Sequence, residues 1–167
     1  MYDRIASKIR KGIEILKELG YDSENISPRE FYDYMTGETP TGDTITLEGV
    51  LCNEFLMMHE IVEISELKKA NVPINKQTIV KFYPQVYAAH FTALDYELTY
   101  ALNKKDYGWL KRRIENFQSQ INDPYLPPEF NHLKQKLAPR FESNFLGSSH
   151  VSKTLIISCK KSFYGCV

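Results

Sequence analysis

Residues 47–70, LEGVLCNEFLMMHEIVEISELKKA, decide how the rest of this chain folds. After its first turn the segment contains no glycine or proline, and apolar residues occupy nearly its whole helical circumference. A helix that is apolar on all sides is normally buried. At about 100° per residue, Glu63 lies roughly 40° from His59, and Glu66 lies roughly 20° to its other side. We therefore expect a buried helix that carries a histidine and two carboxylates on one face.

A second long helical segment, residues 76–104, is the expected partner of this helix. Only a few residues connect the two segments, and such a short connection favours an antiparallel pair. Pro84 lacks a backbone N–H, which predicts a kink or a break near Tyr83. His90 and Glu97 lie about 20° apart on the apolar face of this second segment. The partner helix thus also carries a histidine and an acid towards the interior.

The expected register of the two segments brings the histidines to a similar depth. If the connection is centred near residue 73 or 74, position 59 faces roughly position 88, so His59 and His90 become neighbours. Glu63 lies about one turn closer to the connection than His59, and Glu97 about two turns, or ~10 Å, further from it than His90. These four residues are not all expected to contact one ion.

The remaining patterns predict a single-domain, all-α bundle of five or six helices, with 47–70 and 76–104 as its central antiparallel pair. We assign residues 1–140 to this domain and residues 141–167 to an irregular C-terminal extension. The other helices are predicted from their caps and their spacing of apolar residues. They span residues 2–19, a short segment after the Ser27–Glu30 capping box, residues 106–120 and a short segment from Pro128.

The chemistry that this arrangement suggests is a metal site between the two central helices. Imidazole and carboxylate groups together suit zinc, iron or manganese, with open positions left for water. We expect His59, Glu63 and His90 to be the ligands. In a metal-dependent hydrolase the bound water would be the nucleophile, with Glu63 or Glu97 as its proton acceptor.

Two interpretations need no metal. The buried histidines and glutamates can simply satisfy each other's hydrogen bonds inside a helical core. Alternatively, the protein is a non-enzymatic binding or assembly module, including one that forms a homo-oligomer. Tyrosines suit interfaces, and their angles around the helix place some of them outward. The tyrosines of this segment are Tyr83, Tyr87, Tyr96, Tyr100 and Tyr107.

A further alternative comes from a partial resemblance. Glu60-Ile-Val-Glu63, followed by Asp95 on the next long helix, resembles a fragment of the E-x-x-E and E-x-x-D pattern of all-α nucleoside triphosphate pyrophosphohydrolases. That resemblance implies magnesium on these carboxylates. Thr92 stands where the second motif has its first acid.

Composition excludes several classes of protein. Lys plus Arg and Asp plus Glu each number 21, so the chain of 167 residues has no basic surplus for nucleic acid. The three cysteines form no C-x-x-C pair, which fits a reducing compartment. No apolar run approaches the ~18 residues of a membrane span, and the N-terminus has no signal-like core. We therefore expect a soluble, unprocessed cytoplasmic protein.

Overall fold

The computed structural model describes the backbone of residues 1–39 and 45–121, and the side chains of residues 1–39 and 45–117. Within these residues there are seven helices and no strand, which confirms the prediction of an all-α fold. The helices are α1 (Tyr2–Glu18), α2 (Pro28–Met35), α3 (Leu47–Cys52), α4 (Glu54–Lys69), α5 (Thr78–Lys81), α6 (Tyr83–Asn103) and α7 (Tyr107–Ile121).

Helix α4 is largely buried, as its apolar circumference predicts. Eleven of its sixteen residues are buried. The apolar stripe of α1, Ile5, Ile9 and Leu16, is buried as well, and α1 packs against both α2 and α4. Gly12 of α1 comes so close to the Ile61 side chain that an added methyl group would overlap it. Polar groups on α4 therefore lie inside the protein and need internal partners.

The predicted continuous helix 47–70 is divided at Asn53. This residue has extended backbone angles, φ −121° and ψ 121°, and its side chain accepts hydrogen bonds from the amides of Phe55 and Leu56. Asparagine is among the best N-terminal caps, because its short side chain reaches the first free amides of a helix. A new helix consequently starts one residue later, and α4 carries the histidine and the acids.

Helix α2 is attached to α4 at its start and along one face. The predicted capping box is present: the Glu30 amide donates to Ser27 Oγ at 3.1 Å, and Glu30 Oε2 accepts from the Ser27 amide at 2.7 Å. Lys68 of α4 donates to the other oxygen of Glu30 at 2.7 Å. Phe31 and Tyr34 are both buried. The short helix thus has a fixed position beside the acidic residues of α4.

The second long segment is divided in the region where Pro84 predicts a break. Helix α5 ends at Lys81 and α6 begins at Tyr83. Three side-chain pairs show that α6 runs antiparallel to α4, because residues later in α4 pair with residues earlier in α6. These pairs are Glu54 with Tyr100, His59 with Glu97, and Glu63 with His90.

The described residues fall into two compact units, residues 1–100 and residues 101–121. In the second unit, Asp106 caps α7 as predicted, accepting from the Trp109 amide at 2.9 Å. Leu110, Ile114 and Phe117 are buried. The predicted domain boundary at residue 140, the helix from Pro128 and the C-terminal extension 141–167 lie outside the described residues. None of the described helices is both long and apolar enough to span a bilayer.

Replacing Gly37 with alanine is expected to lower the free energy of unfolding by about 1–3 kcal/mol, as overpacking does elsewhere. A Cβ atom at this position would lie 2.5 Å from the Lys76 carbonyl oxygen, which is backbone and cannot swing away. The same oxygen accepts from the Glu38 amide at 2.8 Å, so a shift would weaken that bond. Urea unfolding measures the effect.

Gly49→Ala is the matched control for this substitution. Its added Cβ would meet only Thr46 Oγ1, at 3.4 Å. Gly49 lies within helix α3, where alanine is favoured over glycine by about 1 kcal/mol. Equal losses in the two variants would contradict the close approach at Gly37.

Candidate metal centre

His59 lies at the centre of the site and is almost completely buried, with 2% of its surface exposed. Its ring uses both nitrogens. Nδ1 lies 2.7 Å from Oε2 of Glu97, which is itself fully buried. Nε2 points the other way, 3.0 Å from Nδ1 of His90 and 3.4 Å from Oε2 of Glu63. The imidazole therefore connects a carboxylate on one side with a cluster of polar atoms on the other.

Glu63 follows His59 by one helical turn and faces the same cluster. Its Oε2 lies 2.9 Å from Nδ1 of His90. Its Oε1 accepts a short hydrogen bond from the hydroxyl of Tyr34. The two oxygens of this buried carboxylate thus have different roles, because one is held by α2 and the other faces the histidines.

Three atoms converge at the cluster: Nε2 of His59, Nδ1 of His90 and Oε2 of Glu63. They are separated by 2.9, 3.0 and 3.4 Å. Ligands bound at about 2.0–2.2 Å to one ion in tetrahedral or octahedral geometry lie about 2.8–3.6 Å from their neighbours. The three residues accordingly form a group that could hold a metal ion.

With Glu63 ionised, protons leave one unfavourable contact in this triangle. A ring nitrogen either donates or accepts, and an ionised carboxylate oxygen only accepts. If both histidines donate to Glu63, their N–H groups face each other. If only one nitrogen carries a proton, two lone pairs face each other instead. A single cation would meet all three atoms through their lone pairs.

The pKa values of the buried pair reflect these contacts. Burial alone would lower the pKa of His59, but hydrogen bonds with Glu63 and Glu97 outweigh it and raise the pKa to about 9. Burial would raise the pKa of Glu63, but hydrogen bonds from His59 and His90 bring it well below its ordinary value. In the absence of metal, these contacts therefore favour the imidazolium form of His59 and the carboxylate form of Glu63.

Solvent reaches the cluster from one side. The side chain of His59 is 2% exposed and that of Glu63 is 7% exposed, whereas that of His90 is 26% exposed. Phe91 is buried next to His90, and Tyr87 packs against Phe91 with ring centroids 5.7 Å apart. Aromatic side chains thus follow α6 beside the histidine.

The structure brings together the three residues that the sequence nominates as ligands. Glu97, however, lies much closer to His59 than the expected register implies, because the two side chains are in direct contact at 2.7 Å. His59 contacts both His90 and Glu97, which lie two turns apart on α6. Glu66, expected on the same face, belongs to a different group: it accepts from Tyr21 at 2.7 Å and from Lys69 at 2.9 Å.

Sequence reasoning missed Tyr34. Its only local sign is the spacing of Phe31 and Tyr34 on one side of a short capped helix, which predicts burial but names no partner. Of the acids in the pyrophosphohydrolase-like pattern, Glu60 is buried and Asp95 is half-buried, and neither belongs to the group of three. Among the tyrosines considered for assembly, Tyr107 is exposed and Tyr100 is buried.

Comparisons with models of known protein families, with curated proteins and with solved structures find no match to this chain. The described residues define an all-α protein with a His/Glu cluster that could hold a metal ion.

Proposed function

We propose that this protein binds one divalent transition-metal ion, zinc, iron or manganese, through His59, His90 and Glu63, and uses it as a metal-dependent hydrolase. The observation that carries the proposal is the triangle of three potential ligand atoms, 2.9 to 3.4 Å apart, in which protons leave one unfavourable contact as long as Glu63 is ionised. Two histidines from facing helices and one carboxylate are a ligand set typical of such metals.

The outer contacts of the ligands support this assignment. A metal-binding histidine usually donates its second N–H to a carboxylate or a carbonyl, which holds the ring in place and makes it a better ligand. Glu97 stands in that position behind His59, at 2.7 Å. Of the two acids considered as proton acceptors, Glu63 faces the ion, and we assign to Glu97 the role of holding His59.

The chemistry would take place at the coordination positions that the protein leaves open. Three protein ligands leave at least one position for water, and an ion such as zinc lowers the pKa of that water to about 7. Such an ion, held by His59, His90 and Glu63, would supply an activated water as nucleophile for an ester, amide or phosphate that enters along His90. The partial exposure of His90 supports this direction of entry.

Elemental analysis of the purified protein tests the metal site. We expect near-stoichiometric zinc, iron or manganese in the parent protein. Replacing His90 with alanine removes a ligand, so the metal affinity should fall by more than the roughly 10–100-fold that loss of an outer contact causes, and the metal content should fall with it. We choose His90 for this substitution because it is the most exposed of the three proposed ligands, so its removal disturbs the core least.

Glu66→Gln is the matched control, since it removes a carboxylate from the same helix outside the triangle. Metal retained in this variant and lost in His90→Ala would support the proposal. No metal in the parent, even after incubation with each of the three ions, would overturn it and leave the histidines as a structural network. Hydrolysis of nucleoside triphosphates with magnesium, unaffected by His90→Ala, would instead favour the pyrophosphohydrolase-like alternative.

A further inference from the structure

Tyr34 contacts the proposed centre from a helix that carries no ligand. It is 2% exposed, and its hydroxyl donates to Oε1 of Glu63. Helix α2 holds it there, because the capping box orders the first turn and Lys68 ties Glu30 to α4 at 2.7 Å. The position of the Tyr34 hydroxyl is therefore set by the packing of α2 against α4.

This hydrogen bond limits how Glu63 can bind an ion. A carboxylate coordinates a metal through one oxygen or through both, and the second mode occupies a further coordination position. Oε1 is occupied by the Tyr34 hydroxyl, while Oε2 faces Nδ1 of His90 at 2.9 Å. Binding through both oxygens would turn Oε1 towards the ion and so put coordination in competition with this buried hydrogen bond.

We propose that Tyr34 is a positioning residue, which restricts Glu63 to one-oxygen coordination and so keeps an additional position open for water or substrate. This inference rests on the proposed metal-binding function. It also assigns a role to α2, which otherwise contributes no group to the site. Tyr34 acts through Glu63 and does not itself bind the ion.

The number of water molecules on bound Mn²⁺, measured by water-proton relaxation, tests the inference. In Tyr34→Phe we expect about one fewer bound water than in the parent, because Glu63 is then free to bind through both oxygens. Phenylalanine keeps the ring, so the core remains filled and the variant should fold. A change in stability alone would not alter the number of waters.

Tyr21→Phe is the matched control, because Tyr21 is also buried and also donates to a glutamate of α4, Glu66, at 2.7 Å. Both variants lose one such hydrogen bond, but only Tyr34→Phe should lose a bound water. An unchanged water number in Tyr34→Phe would overturn the role of Tyr34 while leaving the metal site intact. Failure of the parent to bind Mn²⁺, zinc or iron would overturn both proposals.

Discussion

Replacing His59 with alanine is expected to destabilise the metal-free protein by about 3–5 kcal/mol, the usual cost of removing one partner from a buried ion pair. Glu97 is fully buried and loses its imidazolium partner in this variant. Metal binding is lost as well, because a ligand is gone. Urea unfolding in the presence of a chelator measures the stability, and calorimetric titration measures the binding.

Two comparisons separate these effects. His90→Ala should lose metal equally but cost only about 1 kcal/mol of stability, since the His90 side chain is partly exposed, unlike that of His59. The double variant His59→Ala/Glu97→Leu should recover much of the stability lost in His59→Ala, because apolar pairs replace buried ion pairs at little cost. A small loss in His59→Ala would show that Glu97 does not depend on the imidazolium.

The metal-free protein is expected to be most stable between about pH 4.5 and 6.5. The pKa of Glu63 is lowered from 4.5, so its contribution to stability is present above that pH and is lost as the pH falls. The pKa of His59 is raised from 6.5 to about 9, so its contribution is present below pH 6.5 and is lost as the pH rises towards 9. The loss on the alkaline side should approach about 3 kcal/mol.

Metal should reverse this dependence on the alkaline side. An ion must displace the proton from His59, so its affinity, and the rise in melting temperature that it produces, should increase from pH 6.5 to 9. Melting curves with a chelator and with zinc test both trends. The groups that face His59 are Glu60, Glu63, His90 and Glu97, and His59→Ala should remove the alkaline loss. A metal effect independent of pH would contradict binding through His59.

The buried helix could be predicted because its evidence is local. Apolar residues around the whole circumference of α4 predict burial, and the spacing of His59 and Glu63 places them one turn apart. The break at Asn53 could not be predicted in the same way, because the periodicity continues through it. The Asn53 side chain accepts hydrogen bonds from two backbone amides, and this capped break competes with an uninterrupted helix.

The register between helices was predicted less accurately. The short connection correctly indicates an antiparallel pair, and it brings His90 near His59. It places Glu97 too far from His59, because the observed side-chain pairs follow a different register from the expected one, in which position 59 faces position 88. An imidazole also extends in two directions, so one His59 contacts residues of α6 that are two turns apart.

Tyr34 illustrates what a single sequence does not contain. Its partner, Glu63, is separated from it by 29 residues and lies on another helix. Helix periodicity assigns a residue to a face but does not say which element covers that face. The capping box predicts where α2 begins, and only the packed structure gives the position of its last turn.

The cap at Asn53 has a consequence for how the length of this chain could vary between related proteins. An inserted residue upstream of the cap would leave the phase of α4 unchanged, because Asn53 starts a new helix. Between Asn53 and Glu63, one inserted residue would turn the two ends of the segment by about 100° relative to each other. Insertions and deletions should therefore accumulate before the cap and be rare in the ten residues after it.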